Sequence, residues 1–117
     1  PNTTAEEKAV RHEAMQKALL PAAEAPLELT ELCVEALEIL DRYSEIGSRL
    51  AVSDAATGSV MCLAALKSAR LNVIVNTKIM EDDELRNRLD ARADEAMARG
   101  SEISRVTYER VENKLIG

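Results

Sequence analysis

Apolar residues along this chain recur every three to four positions in long runs, with polar residues filling the gaps. That spacing is the period of an α-helix, in which i, i+3 and i+4 share a face. No alternating period-two run persists, so the pattern predicts an all-α chain: an antiparallel bundle of about four helices. The first helix opens at Thr3-Thr4, where Thr4 and Glu7 have capping-box spacing, and carries Val10, Ala14, Met15, Ala18 and Leu19. Pro26 is expected to end or kink it, with Pro21 a weaker interruption. A second helix then starts at Pro26 and sets Leu29, Leu32, Cys33, Ala36, Leu37 and Leu40 opposite Glu28, Glu31, Glu35 and Glu38. It ends near Tyr43, and Gly47 marks a turn.

The third helix is the unusual one. Ser53 reads as its N-cap and Asp54 as a first-turn acid, and its end falls between Asn76 and Met80. Ala55, Val60, Met61, Leu63, Ala64, Leu66, Leu71, Val73, Ile74 and Val75 point to most of its sides. A helix apolar nearly all round needs cover all round. The fourth helix opens on Glu81-Asp82-Asp83-Glu84 and runs to about Leu115, with Leu85, Leu89, Ala93, Ala96, Gly100, Ile103, Thr107 and Val111 on one face. The chain offers few helices to cover the third one, so the pattern predicts that partner surface is missing.

Composition sharpens this. The 117 residues suit one domain, yet the chain has no Trp, no Phe and only two Tyr, and much of its apolar content is Ala. Small side chains bury little area each, so a lone bundle would be weakly held, and assembly is the usual remedy. A net charge of −6 without basic clusters argues against nucleic acid, and the lack of aromatics removes stacking platforms. Lys67 and Arg70 break the best apolar run, so no membrane span is expected, and no signal peptide is legible. Two cysteines inside helical runs, Cys33 and Cys62, read as reduced core residues of a cytoplasmic protein.

Catalytic motifs are missing from the pattern. The four glycines are scattered, and the lone His12 has no cysteine or histidine companions, so neither a phosphate loop nor a metal site is expected. What remains is polarity inside the apolar helix. Ser68, Asn72 and Asn76 follow at i, i+4 and i+8, and Asp54 lies five turns before Asn72 on the same side. By the helical rise that is about 27 Å, too far for one site within one chain. These residues could join two ends of a groove or meet across a symmetric interface, or they could only bond backbone carbonyls or hold neighbouring helices in register. An anionic small molecule would need Lys67, Arg70 or Lys78 for charge.

Four stretches in order carry a resemblance: Asn2-Thr3-Thr4-Ala5-Glu6-Glu7-Lys8; Pro26-Leu27 leading to Thr30-Glu31-Leu32-Cys33; Ser53-Asp54; and Leu71-Asn72-Val73-Ile74-Val75-Asn76 before the acidic run. Together they resemble the cyclodeaminase/cyclohydrolase family, which includes formiminotransferase-cyclodeaminase C-terminal domains and bacterial methenyltetrahydrofolate cyclohydrolases. The resemblance implies an all-helical homodimer acting on a tetrahydrofolate-bound one-carbon unit, with the folate as substrate and no separate cofactor. It implies that Asp54, Asn72 and Asn76 line the folate pocket or its dimer wall, and that Lys78 meets the folate glutamate tail. The family's Pro-Gly-Gly-Gly-Ser-like and Asp-x-Asp-x-x-x-Phe-like stretches do not occur in these residues, and Ser48 stands where many relatives have asparagine. The chain therefore resembles the downstream part of such a domain. It is expected to lack the catalytic aspartate and to show no turnover alone. The competing reading is a non-catalytic helical dimerisation module.

Overall fold

The computed structural model describes residues 4–117, and within them the chain forms three α-helices and no strand. They are α1 (Ala5–Ile46), α2 (Arg49–Thr77) and α3 (Asp83–Ile116). All-α is therefore right and four helices is not. Residues 1–3 lie outside the described residues, so only Thr4 of the expected Thr3-Thr4 opening is placed. Thr4 caps α1, its Oγ1 accepting from the Glu7 amide at 3.2 Å.

The expected first and second helices are one. α1 runs without a break through Pro21 and Pro26 for 42 residues. A proline inside a helix removes one amide donor and strands the carbonyl four residues earlier. For Pro26 that carbonyl belongs to Ala22, and the Asn76 amide of α2 donates to it at 3.2 Å. For Pro21 it belongs to exposed Lys17, on a side of α1 that faces solvent. At Pro26 a tertiary contact thus replaces what the proline takes away.

α2 also starts earlier than Ser53. Ser48 is the N-cap, accepting from the Ala51 amide at 3.4 Å, so Ser53 is half-buried inside the helix and Asp54 lies beyond its first turn. α3 opens as its acids suggest: Asp82 caps it by accepting from the Leu85 amide at 3.1 Å, with Asp83 and Glu84 at the positive end of the dipole.

The helices lie side by side in a rod of 70 × 26 × 17 Å. The core runs along its length in three groups: Leu19, Leu27, Val73, Met80 and Leu89 at one end, Val34, Leu37 and Leu66 in the middle, and Val52, Ala56 and Val111 at the other. Gly100 of α3 leaves room for the side chains of Leu66 and Leu37. A Cβ there would stand 2.3 Å from Leu66 Cδ2 and 3.2 Å from Leu37 Cδ1. Where α2 meets α3, Ser59 Oγ donates to Ser104 Oγ at 3.1 Å inside the core.

α1 and α3 are also laced by charge. Arg92 pairs with Glu31 at 2.6 Å, Arg99 with Glu38, and Arg110 with Asp41 at 2.5 Å. Two of the glutamates expected to face only solvent, Glu31 and Glu38, therefore reach α3. One further expectation is corrected: α2 is, by length and composition, apolar enough to cross a membrane despite Lys67 and Arg70. Its setting is that of a bundle helix, packed between α1 and α3 with Arg70 bound to Asp94 of α3.

Candidate functional site

α2 does not find full cover in its own chain. Met61, Leu71 and Val75 are exposed to about two thirds of their surface (68%, 61% and 61%), while Leu66 and Val73 are completely buried. The buried set faces α1 and α3, and the exposed set forms the opposite side of the helix. α1 continues this open face with Leu29, Leu32, Ile39 and Tyr43, all exposed or nearly half so. The outcome is a bundle with one finished side and one apolar open side.

Polar side chains of α2 sit at the edge of that open side. Asn72 is exposed, and its Nδ2 donates to the Ser68 carbonyl at 3.2 Å. Asn76 is half-buried, and its Nδ2 donates both to Ala22 O of α1 and to Asn72 O at 2.9 Å. These bonds use the amide nitrogens and leave both side-chain oxygens as acceptors. The two bonds of Asn76 fix the orientation of its amide, so its Oδ1 is held in place rather than free to rotate. Of the two, Asn76 holds helices in register through Ala22 of α1, whereas the Asn72 bond stays within α2.

The turn after α2 is pinned to α1 by Gln16, whose Nε2 donates to Ile79 O at 3.0 Å while its Oε1 accepts from the Glu81 amide at 3.0 Å. Thr77, fully buried, donates to Asp90 Oδ1 at 2.6 Å. His12 is exposed and lies 2.7 Å from Glu81. Lys78 is the exposed C-cap residue of α2, with its backbone amide bonded to Ile74 O. Of the three cations considered for an anionic ligand, Arg70 is engaged by Asp94, whereas Lys67 and Lys78 are exposed and in no ion pair among the described residues.

The four site residues are thus not one cluster. Asn72, Asn76 and Lys78 share the last two turns of α2, and exposed Asp54 stands at its other end, about five turns from Asn72. Near Asp54 the structure has a different feature, an apolar groove of about 450 Å³ between α2 and the end of α3, lined by Ala56, Val60, Met61, Tyr108, Val111 and Leu115 among others. The sequence reading missed this groove because its two walls are 50 residues apart in the chain and neither carries a recognisable motif.

It also missed the polar cluster at the other side of the rod. Arg110 donates to Asp41 Oδ1 and to Ser44 Oγ at 2.7 Å, Thr107 donates to Asp41 at 2.8 Å, and Lys114 donates to the Ser44 carbonyl. Burial pushes the Asp41 carboxyl up, but the Arg110 and Thr107 hydrogen bonds and the Arg110 charge outweigh it and hold the group below its ordinary value. The signal was there: Asp41 and Ser44 continue the core-facing i, i+3, i+4 series of α1. This cluster closes the finished side and has no opening to the apolar face. Cys33, buried against Cys62, has its thiol pushed up by burial and by its neighbour, which makes it a packing residue rather than a nucleophile.

Comparison with known proteins now bears on this geometry. Residues 1–95, which include all of α1 and α2, match the family described as Formiminotransferase-cyclodeaminase. Over 115 residues the chain is 31% identical to the methenyltetrahydrofolate cyclohydrolase of Methylorubrum extorquens, a match covering 98% of this chain and 55% of that protein. The chain thus spans about half the length of the curated relative. The matched region contains the open α1–α2 face together with Asp54, Asn72, Asn76 and Lys78, and on this match the chain belongs to the formiminotransferase-cyclodeaminase family.

Proposed function

We propose that this chain is part of a folate one-carbon enzyme, contributing one wall of a pocket for a tetrahydrofolate-bound one-carbon unit. The reaction is either hydrolysis of 5,10-methenyltetrahydrofolate or cyclisation of 5-formiminotetrahydrofolate with loss of ammonia. Both act on the single electrophilic carbon between N5 and N10, and both need a proton moved to or from nitrogen or water. The observation that carries the reading is the Asn76 amide: anchored by Ala22 and Asn72 carbonyls, it presents a fixed acceptor at the edge of an uncovered apolar face. A flat apolar surface with a few oriented polar groups suits a ring system rich in N–H donors.

In this reading Asn72 and Asn76 receive the heterocycle, and Lys78 at the end of α2 attracts the anionic tail. Asp54 is too distant to share that pocket within one chain and serves it only across an interface with a second copy. No catalytic acid is assigned here; the proton-transferring carboxylate belongs to a part of the enzyme outside these residues, and the chain alone is expected to bind weakly and not to turn over. The similarity to a methenyltetrahydrofolate cyclohydrolase supports hydrolysis over deamination.

The second reading, a helical dimerisation module without chemistry, is favoured by the exposed stripe of α1, where Leu29, Leu32 and Ile39 offer no polar ligand group. Titration of 5-formyltetrahydrofolate into the full-length enzyme separates the two. The folate reading expects saturable binding that Asn72→Ala and Asn76→Ala each weaken by about tenfold, the value of one good hydrogen bond, with assembly mass unchanged. Equal affinity in all three proteins supports the module.

A further inference from the structure

Among the described residues, one side chain ties α1 to the backbone of the turn that follows α2. Gln16, half-buried, donates from Nε2 to the Ile79 carbonyl and accepts at Oε1 from the Glu81 amide, each at 3.0 Å. These two backbone groups are of opposite kind, so the group that bridges them must offer a donor and an acceptor side by side. A carboxamide does so, and a carboxylate or a hydrocarbon does not. The His12–Glu81 contact beside it joins two exposed side chains and leaves the backbone alone. Further along α1, the Ala22 carbonyl accepts from Asn76. α1 thus grips the end of α2 at two points, and Lys78 falls between them in the chain, after Asn76 and directly before Ile79.

Other contacts hold the turn onto the bundle without Gln16. Met80 is buried with Leu19 and Leu89, its amide donates to the Thr77 carbonyl at 3.0 Å, and its own carbonyl accepts from Arg86 of α3 at 3.1 Å. What these contacts leave to Gln16 is the placement of the peptide groups on either side of Met80. Lys78 is exposed and in no ion pair among the described residues, so no ionic partner fixes its ammonium.

We propose that Gln16 is a positioning residue for anion recognition: by bridging Ile79 and Glu81 it sets where Lys78 stands relative to the Asn76 amide. This rests on the folate reading above, in which Asn76 receives the heterocycle and Lys78 the anionic tail. A ligand that meets both residues binds better when their spacing is set in advance, because a loose turn must be ordered on binding. Gln16 touches no ligand in this account and acts through Lys78 alone.

The test compares two probes on the full-length enzyme: 5-formyltetrahydrofolate, and 5-formyltetrahydropterin, the same ring system without the p-aminobenzoylglutamate tail. Lys78→Met is expected to weaken folate binding by about fivefold. Gln16→Met keeps the length of the side chain but neither polar group, and is expected to weaken it by about threefold. Pterin affinity stays unchanged in both variants, which also shows the ring site intact. The combined variant binds folate no more weakly than Lys78→Met, since nothing is left for Gln16 to position. If Lys78→Met weakens folate binding and Gln16→Met does not, the proposal is overturned and the folate reading stands. Additive losses in the combined variant overturn it too, as does an equal loss of pterin affinity in Gln16→Met, which would assign Gln16 to the fold at large. Folate affinity indifferent to Lys78→Met, or no folate binding at all, removes the tail contact from the folate reading and this proposal with it.

Discussion

The two long sides of this rod use the same helices for opposite purposes. On the side where α3 packs, leucines are sealed, buried hydroxyls are bonded and arginines meet carboxylates. On the other side, α1 and α2 present leucine, isoleucine, methionine and tyrosine to water. A soluble monomer seldom leaves so long an apolar surface uncovered without a binding role for it. The difference divides a sealed side, which holds the fold together, from an open side, on which the proposed function rests. Substitutions should therefore sort by face rather than by residue type.

The largest contrast is between two leucines of α2. Leu66→Ala removes a fully buried side chain and is expected to cost about 2–5 kcal/mol in denaturant unfolding. Leu71→Ala, at an exposed position, is expected to stay within about 0.5 kcal/mol in the isolated chain. If the two losses were equal, the division into faces would fail. Next is Gly100→Ala on the sealed side, where the new methyl group must displace Leu66; a loss of about 1–3 kcal/mol is expected in thermal unfolding.

The polar cluster sharpens the comparison through pH. Because the folded Asp41 carboxyl lies below its ordinary value of 3.8, its contribution is present above that pH and is lost as pH falls through the folded value. Acid unfolding should therefore steepen below about pH 4, and Asp41→Asn should flatten that limb while lowering stability at neutral pH by about 1–2 kcal/mol. An unchanged acid limb would remove the Asp41–Arg110 pair from the account. The smallest effect concerns the seam between faces. Asn76→Ala should cost about 1 kcal/mol in the natural background. In Pro26→Ala, whose restored amide can reach the Ala22 carbonyl, the cost should shrink by about half. Equal costs in both backgrounds would mean that the Ala22 contact contributes nothing.

Much of this was legible in the sequence. The 3.6-residue period gave an all-helical chain, the acidic run and Thr4 marked their helix starts, and the all-round apolar character of α2 pointed to missing cover. The joining of two expected helices was not legible, because the repair at Pro26 comes from Asn76, 50 residues away. Ser53 reads as the cap from sequence because Ser48, the actual cap, sits directly after Gly47 and leaves almost no loop. Asn72 and Asn76 stood out as polar residues in an apolar run, but the Asn76 bond to Ala22 could be known only from α1. Asp54 kept its helical phase with Asn72, and distance alone separates them.

The central claim is that the open α1–α2 face is covered by protein in the working assembly. Hydroxyl-radical footprinting across a dilution series tests it most directly. Labelling of Leu29, Leu32 and Tyr43 should fall several-fold as concentration rises, while labelling of Leu115, on α3, stays constant. Equal labelling of the α1 residues at every concentration, in a chain that remains folded, would contradict it.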